Sequence, residues 1–333
     1  YDAWLDLECE VEIERAAARL LGMHVDLPRL AHGVGLDEVA LVVDVEAVVD
    51  RVALEICHES GDVDDGHNDP FPGSAAHPGD TTVRPVLRDR LGLLDEVAAA
   101  VAATLHGVTD RGLTGQRVGQ YVLDVAADDA ALSVLRRAGV GVLSEESGLE
   151  RPDADELVII DPVDGSTNAA RGVPWYATSL CLVDADGPAV ALVVNQASGV
   201  RFTAERGGGA WCDGAPLRPS GCDAVSNAIV GLNGAPARPF GSAQSRMFGA
   251  AALDLCLVAA GTLDAYVDCV SDAHGIWDYA GAALVCAEAG VSIADAFGRP
   301  LFHRDHDARR TPVAAATPAL FQALATARRQ LVS

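Results

Sequence analysis

The sequence predicts an α/β fold in which helices and strands pack in layers, preceded by a small helical N-terminal extension. From about residue 90 onward, helical and strand patterns alternate along the chain, which is typical of layered α/β domains. Residues 179–214 have the pattern of a β-meander, in which short alternating segments are separated by Asp-Gly and Ser-Gly turns. Half of the 333 residues are hydrophobic, so a sizeable core can form.

Residues 1–80 differ in character from the rest of the chain. They contain 19 acidic residues and only four arginines, and residues 66–80 are rich in Pro, Gly, Asp and His. Helical spacing predicts two helices, over 8–22 and 36–59, and the segment after them is typical of a linker. We therefore expect an acidic N-terminal extension and linker over 1–80, too small to be stable alone, and a main domain over 88–333.

The charge and the cysteines restrict function and location. The net charge is −24 and lysine is absent, whereas nucleic-acid binding requires basic patches, so we expect no nucleic-acid partner. No run approaches the ~18 apolar residues of a membrane span and no signal-peptide pattern opens the sequence, so we expect no membrane partner. The eight cysteines are scattered without a CxxC pair, which favours a reduced, cytoplasmic protein.

The patterns after residue 90 define the elements in order. They predict helices over 93–108, 128–139, 248–261 and 277–290, and strands over 140–148 and 156–165 that precede the β-meander. In the last helix, Asp278 is placed to be the N-cap and Gly290 to be the C-cap.

Two aspartates leave the second of these strands in the segment VIIDPVDGSTN, residues 158–168. Asp161 and Asp164 supply carboxylates for a cation at a strand end, where α/β proteins often place sites. Gly165 lets a ligand approach the backbone, and Ser166 begins a short helix whose free N–H groups attract phosphate. A cation site beside an anion site suits metal-assisted phosphate chemistry. The alternative is an ordinary Asx-rich turn with a helix cap.

Two other phosphate motifs fit this loop poorly. Hydrolases of the haloacid dehalogenase type carry their carboxylates two residues apart, whereas Asp161 and Asp164 are three apart with Pro162 between them. A Walker loop requires a GK[ST] ending, and the chain has no lysine.

Further carboxylates also lie at the ends of predicted strands and helices. Glu145 comes directly after the apolar strand segment 140–143, and Asp278 lies at a predicted helix start. Each is also explained alone, Glu145 as a solvated turn charge and Asp278 as a plain N-cap. Together with Asp161 and Asp164 they offer the oxygen ligands that Mg²⁺ prefers, and the sequence lacks the His/Cys clusters that Zn²⁺ prefers.

Three segments, SEESG, DPVDGSTN and WDYAGAALVCAEAG, resemble in order and separation the three signatures of the inositol monophosphatase family. That family belongs to the magnesium-dependent, lithium-sensitive sugar phosphatases. The meander ending in RGGGAWCDGAPL and the helix FGAAALDLCLVAAG are similar to the segments between the second and third signatures, so the resemblance covers about residues 90–325. It implies a layered αβαβα sandwich of the sugar-phosphatase type, two or three Mg²⁺ ions, and a homodimer as one candidate assembly.

The resemblance implies metal ligands and catalytic residues by position. The ligands would be the side chains of Glu145, Asp161, Asp164 and Asp278 and the backbone carbonyl of Val163. Ser166 stands where the family usually has threonine, and Asp128 matches the aspartate that pairs with that hydroxyl in activating water. Glu145, Ser166 and Asp128 are therefore the expected catalytic residues. The alternative for Asp128 is an N-cap of the following helix.

Substrate contacts follow from the same resemblance. The N–H groups of Gly165 and Ser166 would hold the phosphate. Substrate hydroxyls would meet Gly249, Ala250, Asp278 and the region of Asp268, where the family often has glutamate. One departure lies at Ser144, because the family usually has glycine before its glutamate pair.

We therefore expect a Mg²⁺-dependent phosphomonoesterase that hydrolyses a small phosphorylated polyol with metal-activated water. Inositol 1-phosphate is the substrate that the resemblance implies first. Histidinol phosphate, fructose 1,6-bisphosphate and 3′-phosphoadenosine 5′-phosphate are handled by related folds. A different class of function is a regulatory or binding protein on a degenerate phosphatase fold, but the intact carboxylate set favours the enzyme.

Overall fold

A computed structural model describes residues 83–331 of the chain, and the side chains of residues 90–331. The extension and linker predicted over 1–80 lie outside the described residues. The described helices are α1 (Val83–Gly107), α2 (Val122–Ala138), α3 (Ser166–Arg171), α4 (Ala251–Ala259), α5 (Ala280–Ala289) and α6 (Pro318–Gln330), with 3₁₀ turns at Val225–Asn227 and Ile276–Asp278. The described strands are β1 (Gly141–Ser144), β2 (Gly148–Glu150), β3 (Leu157–Asp164), β4 (Ala177–Asp184), β5 (Gly187–Asn195), β6 (Arg201–Glu205), β7 (Gly209–Cys212), β8 (Ala215–Pro216), β9 (Ile229–Asn233), β10 (Gln244–Arg246), β11 (Ala265–Asp268), β12 (Ser292–Asp295) and β13 (Pro312–Ala315).

The strands form two sheets. The larger sheet has eight strands in the order β2-β1-β3-β4-β5-β6-β7-β8, and the smaller has five in the order β10-β9-β11-β13-β12. In the larger sheet β1 and β3 are parallel, while β4 to β7 follow one another as antiparallel neighbours. The predicted β-meander is thereby confirmed.

Helices cover both faces of the larger sheet. On one face, α1 and α2 pack against a cluster that includes Val158 and Ile160 of β3. On the other face, α4 and α5 pack against a cluster that includes Leu157 and Ile159. All eight residues of β3 are buried because a helix layer lies on each side of the strand. This double burial explains the uninterrupted apolar run before Asp161.

The middle helix layer, α4 and α5, also packs against the smaller sheet. Its core cluster includes Tyr266 of β11 and Ala314 of β13. A separate cluster joins β9, β11 and β13 to Leu320 and Leu324 of α6, which covers the outer face of that sheet. The order helix, sheet, helix, sheet, helix confirms the predicted αβαβα sandwich. Among the described helices, none is both long enough and apolar enough to cross a membrane.

The observed helix ends correct two predicted caps. α2 has Tyr121 as its N-cap, so Asp128 lies inside the helix and the N-cap alternative for Asp128 is wrong. Asp278 ends a 3₁₀ turn and does not cap α5, whose N-cap is Tyr279. Gly290 ends α5 in the left-handed conformation, as the sequence predicted.

The middle helix layer approaches the larger sheet closely at Gly281 in α5. A Cβ placed on Gly281 would lie 2.8 Å from the carbonyl oxygen of Leu180 in β4 and 3.3 Å from Val193 Cγ2 in β5. Any side chain at this position would therefore push α5 away from the sheet. Gly92 in α1 offers a contrast, because a Cβ there would meet no atom within 4 Å.

Gly281→Ala should lower the free energy of unfolding by about 1–2 kcal/mol, because overpacking outweighs the gain in helix propensity. Gly92→Ala should raise it by up to about 1 kcal/mol, since there alanine adds only helix propensity. Urea unfolding of the two variants in parallel measures both changes. Equal effects of the two substitutions would contradict the close packing of α5 on the sheet.

Candidate active site

Glu145 directly follows β1, and Asp161 lies in the neighbouring parallel strand β3 of the larger sheet. The register pairs Ser144 of β1 with Ile160 of β3, so the next residue along each chain segment is a carboxylate. The Glu145 N–H donates to the Ile160 carbonyl at 3.3 Å, which continues the pairing by one residue. The two acids therefore lie side by side where the parallel pairing of β1 with β3 ends.

A bulge in β3 explains the spacing of three between Asp161 and Asp164. Across this segment the pairing advances by three residues on β3 and by two on β4. Residues three apart face opposite ways on a regular strand, but one extra residue returns them to the same face. Within the bulge, the Pro162 carbonyl accepts a hydrogen bond from Thr178 Oγ1 at 2.9 Å, and the Val163 N–H donates to Asp161 Oδ1 at 2.9 Å.

Asp278 reaches the same place from the 3₁₀ turn before α5. Its Oδ2 lies 2.8 Å from the Gly275 N–H and 3.1 Å from His274 Nδ1, so the side chain is held on its own turn. Ligand oxygens of Glu145, Asp161 and Asp278 all lie within 4.8 Å of one another. Three of the predicted ligands, distant in the sequence, thus form one group.

The electrostatics of this group favour a bound cation. Burial raises the pKa of Glu145 and of Asp161 well above their usual values, and the charges of neighbouring carboxylates raise both further. A divalent cation offsets both causes, because it stabilises the ionised carboxylates. Hard carboxylate oxygens are the ligands that Mg²⁺ prefers, so the residues fit this ion. Within residues 90–331, no other group of three or more His, Cys, Asp or Glu side chains brings its possible ligand atoms within 4.8 Å of one another.

Asp164 faces the start of α4. Its two carboxylate oxygens accept hydrogen bonds from the N–H groups of Ala251 at 3.2 Å and Ala252 at 2.7 Å. Burial, followed by the charge of Asp278, raises the pKa of Asp164 to about 8, although the bond from Ala252 opposes this rise. Asp164 therefore ties the N-terminus of α4 to the site, where the helix dipole favours its negative charge.

Gly165 and the start of α3 make up the segment that the sequence predicts to bind phosphate. Gly165 has φ 84°, and a Cβ there would lie 3.0 Å from the Gly249 carbonyl oxygen and 3.1 Å from Ala250 Cβ. Gly249 and Ala250 therefore pack directly against this loop, and their contact with substrate hydroxyls stays a prediction. Asn168 Nδ2 donates to the carbonyl before Gly249 at 2.7 Å, which fixes α3 to the same segment. The N–H of Ser166, in the first turn of α3, has no partner within the helix.

Asp124 is the aspartate that lies beside Ser166. Asp128 instead accepts a hydrogen bond from Ser144 Oγ at 2.5 Å, so the expected pairing of Asp128 with Ser166 is wrong. Burial raises the pKa of Asp124 to about 7, and the Ser166 hydroxyl is among the groups that oppose this rise. Among the described residues, Asp124 Oδ1 is buried and has no well-formed hydrogen bond. This oxygen is therefore available to accept a proton from Ser166 or from water.

Glu146 has partners that sequence reasoning missed. Its side chain pairs with Arg117 and accepts a hydrogen bond from Gln120, and both partners lie in the loop between α1 and α2. Arg117 thereby neutralises the second acid of the glutamate pair and ties the loop to the rim of the site. No local pattern could reveal this pair, because the partners belong to an irregular loop and a strand end.

Asp268 does not present its side chain to the site. It is fully buried at the end of β11, where Oδ1 accepts hydrogen bonds from Asn233 Nδ2 at 3.0 Å and the Val270 N–H at 2.9 Å. The burial of Asp268 does not support its expected contact with substrate hydroxyls, which stays a prediction. His274, which sequence reasoning also missed, has Nε2 3.8 Å from Asp268 Oδ2. Burial lowers the pKa of His274, but Asp278 and Asp268 outweigh it and raise that pKa to about 9.

Two sequence relatives illustrate what this chain is similar to. A protein of Archaeoglobus fulgidus named fructose-1,6-bisphosphatase/inositol-1-monophosphatase is 32% identical over 231 residues, covering 66% of this chain and 90% of that protein. The Nus factor SuhB of Pseudomonas aeruginosa is 35% identical over 204 residues, covering 54% of this chain and 73% of that protein.

The fold and a family model agree with these relatives. The solved inositol monophosphatase of Anabaena superposes with a TM-score of 0.61 at 26% identity, covering 74% of this chain and 97% of that one. The model of the inositol monophosphatase family matches residues 96–333, which include every carboxylate of the site. The chain therefore belongs to the inositol monophosphatase family and is a phosphoric monoester hydrolase.

Proposed function

We propose that this protein is a Mg²⁺-dependent phosphatase of a small phosphorylated polyol, with inositol 1-phosphate as the first candidate substrate. The observation that carries the proposal is the group of Glu145, Asp161 and Asp278, whose ligand oxygens lie within 4.8 Å of one another. The helix start at Ser166 adds N–H donors for a phosphate beside this group. The A. fulgidus relative, named for both fructose 1,6-bisphosphate and inositol 1-phosphate hydrolysis, supports a sugar or polyol phosphate.

The carboxylates would hold the metal. Glu145, Asp161 and Asp278 form the main ligand set, with Asp164 and the carbonyl of Val163 as further ligands on the bulged strand. Four carboxylates match the charge of two divalent ions, so we propose two Mg²⁺ ions. Bound Mg²⁺ supplies Lewis-acid stabilisation of the charge on the phosphate.

The remaining steps fall to groups of the chain itself. The N–H groups at the start of α3 bind the phosphate oxygens and orient the phosphorus for in-line attack. As the water oxygen bonds to phosphorus and the bond to the leaving alcohol oxygen breaks, the Ser166 hydroxyl takes the proton of the water and passes its own proton to Asp124 Oδ1. The leaving alcohol oxygen takes a proton from solvent water. No protein nucleophile is required, because water is the attacking group.

The cysteines support a reducing, cytoplasmic location for this enzyme. Six cysteines in the described residues are free thiols, and three of them are buried in the core.

Asp161→Asn should reduce Mg²⁺-dependent phosphate release by at least about 100-fold, because even the loss of an outer-shell partner of a metal ligand costs about 10–100-fold. The substrates to compare are inositol 1-phosphate, fructose 1,6-bisphosphate, histidinol phosphate and 3′-phosphoadenosine 5′-phosphate, each with and without Li⁺. Asp186→Asn is the matched control, since it removes the same charge from the exposed turn at the far end of β4. Normal turnover by Asp161→Asn would contradict the assignment of Asp161 to the metal site.

The same assay tests a non-enzymatic function. The P. aeruginosa relative is named a Nus factor, so a regulatory or binding role on this fold is the second candidate. Absence of turnover of all four substrates by the wild-type protein would favour that role over hydrolysis.

Asp124→Asn should lower kcat by about 100-fold or more, in the range of a lost general base, because Asn cannot take the proton from Ser166. Asp128→Asn should keep kcat near the wild-type value, since its side-chain oxygen can still accept the bond from Ser144. Steady-state kinetics of both variants at saturating Mg²⁺ decide between the two aspartates. A larger loss in Asp128→Asn would reinstate the pairing expected from the sequence.

In the presence of a chelator, the midpoint of thermal unfolding should fall as the pH rises from about 5 to about 8. The pKa is raised from 3.8 to about 7 in Asp124 and Asp254 and to about 8 in Asp164, so across this range the folded state binds more protons than the unfolded chain. The stability that these groups contribute is therefore present at low pH and is lost as the pH rises through their folded-state pKa values.

Excess Mg²⁺ should reverse part of this fall, because it binds the ionised form of Asp164 and of the other ligand carboxylates in the folded protein only. Differential scanning calorimetry at each pH, with chelator and with Mg²⁺, measures both effects. A midpoint in chelator that rises with pH would contradict the predicted protonation of the buried carboxylates.

A further inference from the structure

His274 is a polar residue beside the proposed metal site, and most of its side chain is covered by the protein. It lies in the segment between β11 and the 3₁₀ turn, and only 12% of its side chain is exposed. Its backbone forms an isolated antiparallel bridge with Arg310, with N–H to carbonyl distances of 3.2 Å and 2.8 Å in the two directions. These two hydrogen bonds hold the backbone at the position from which the imidazole extends.

Both ring nitrogens of His274 have partners. Nδ1 lies 3.1 Å from Asp278 Oδ2, while Nε2 lies 3.1 Å from the Tyr266 hydroxyl and 3.2 Å from Asn233 Nδ2. A carboxylate oxygen accepts hydrogen bonds, so Nδ1 must carry the proton of the bond to Asp278. This holds for the neutral imidazole protonated at Nδ1 and for the imidazolium alike.

The contact with His274 determines which oxygen of Asp278 is engaged. Oδ2 receives two hydrogen bonds, from His274 Nδ1 and from the Gly275 N–H at 2.8 Å. Within the described residues, no hydrogen bond engages Oδ1. With Oδ2 held from its own turn, rotation about the carboxylate bond is restricted, so Oδ1 is the oxygen that can serve the group with Glu145 and Asp161 without breaking these bonds.

We propose that His274 is a positioning residue for the metal site, which donates from Nδ1 to Asp278 Oδ2 and thereby aims the other carboxylate oxygen at a divalent cation. The inference rests on the proposed Mg²⁺ site and adds to it a partner outside the carboxylate set. It corresponds to the outer-shell donors that orient metal ligands in other proteins. The contacts of Nε2 with Tyr266 and Asn233 hold the ring in plane for this bond.

Two substitutions separate positioning from simple packing. The amide nitrogen of Asn is the same number of bonds from Cα as Nδ1 of His, and that of Gln matches Nε2. His274→Asn therefore keeps a donor for Asp278 but loses the contacts to Tyr266 and Asn233. His274→Gln keeps the volume and the second set of contacts but loses the donor at the Nδ1 position.

Calorimetric titration of metal-stripped protein with Mg²⁺ should show about 10–100-fold weaker binding in His274→Gln and near wild-type binding in His274→Asn. At saturating Mg²⁺, kcat of His274→Gln should return toward the wild-type value, because only metal affinity is impaired. Equal Mg²⁺ affinities in the two variants, or weaker binding in His274→Asn, would overturn the proposal. A cooperative unfolding transition in the presence of chelator shows that a variant is folded.

A measurement on the wild-type protein keeps the test decisive if His274→Gln does not fold. In ¹⁵N-histidine-labelled protein saturated with Mg²⁺, the Nδ1 resonance of His274, assigned by its loss in His274→Asn, should be that of a protonated nitrogen. A bare Nδ1 would overturn the proposal. Failure of the wild-type protein to bind Mg²⁺ would instead sink the proposed function, which keeps the two failures apart.

Discussion

The crowding of like charges in a buried place is the constraint on which the rest of this structure depends. Ligand oxygens of three carboxylates lie within 4.8 Å of one another. At an effective dielectric constant of about 20, each ionised pair at that distance repels by on the order of 3–4 kcal/mol. Side chains on mobile loops would move apart, so the surrounding fold has to hold them. The parallel register of β1 and β3, the bulge in β3 and the turn before α5 supply that rigidity.

Hydrogen-bond donors on the outside of the group complete the restraint. Asp161 accepts from the Val163 N–H, and Asp278 accepts from the Gly275 N–H, each within its own segment. Asp164 accepts from two N–H groups at the start of α4, so a helix from the middle layer anchors it. Backbone donors thus engage one oxygen of Asp161 and of Asp278 and both oxygens of Asp164, and they oppose the repulsion between the acids.

The elements that the sequence predicted well are those with a local cause. The apolar run of β3 and the turn after it could be recognised because burial on both faces demands such a run and Gly165 permits the left-handed turn. Asp124 and Asp128 are one helical turn apart, so they share a face of α2, and spacing alone cannot choose between them. The choice depends on where α2 lies against α3 and β1, which is a long-range contact.

The partners of Asp268 and Glu146 escaped prediction for the same reason. Asp268 lies at a strand end, which is typical of a site residue, yet Asn233 on the neighbouring strand engages it first. Arg117 comes from an irregular loop without periodicity, and its pairing with Glu146 is visible only in three dimensions. Sequence pattern thus located the site, while the assignment of each carboxylate to a role required the packing between elements.

The bulge in β3 makes this site more sensitive to the number of residues between Asp161 and Asp164 than to the identity of those residues. A regular strand tolerates exchange of one apolar residue for another, since only volume and face matter. Removal of Pro162 or Val163 would change no charge, yet it would straighten the strand and rotate one aspartate onto the opposite face, which α1 and α2 cover. A single-residue insertion or deletion between the two aspartates would therefore disturb the site more than the exchange of Val163 for another apolar residue.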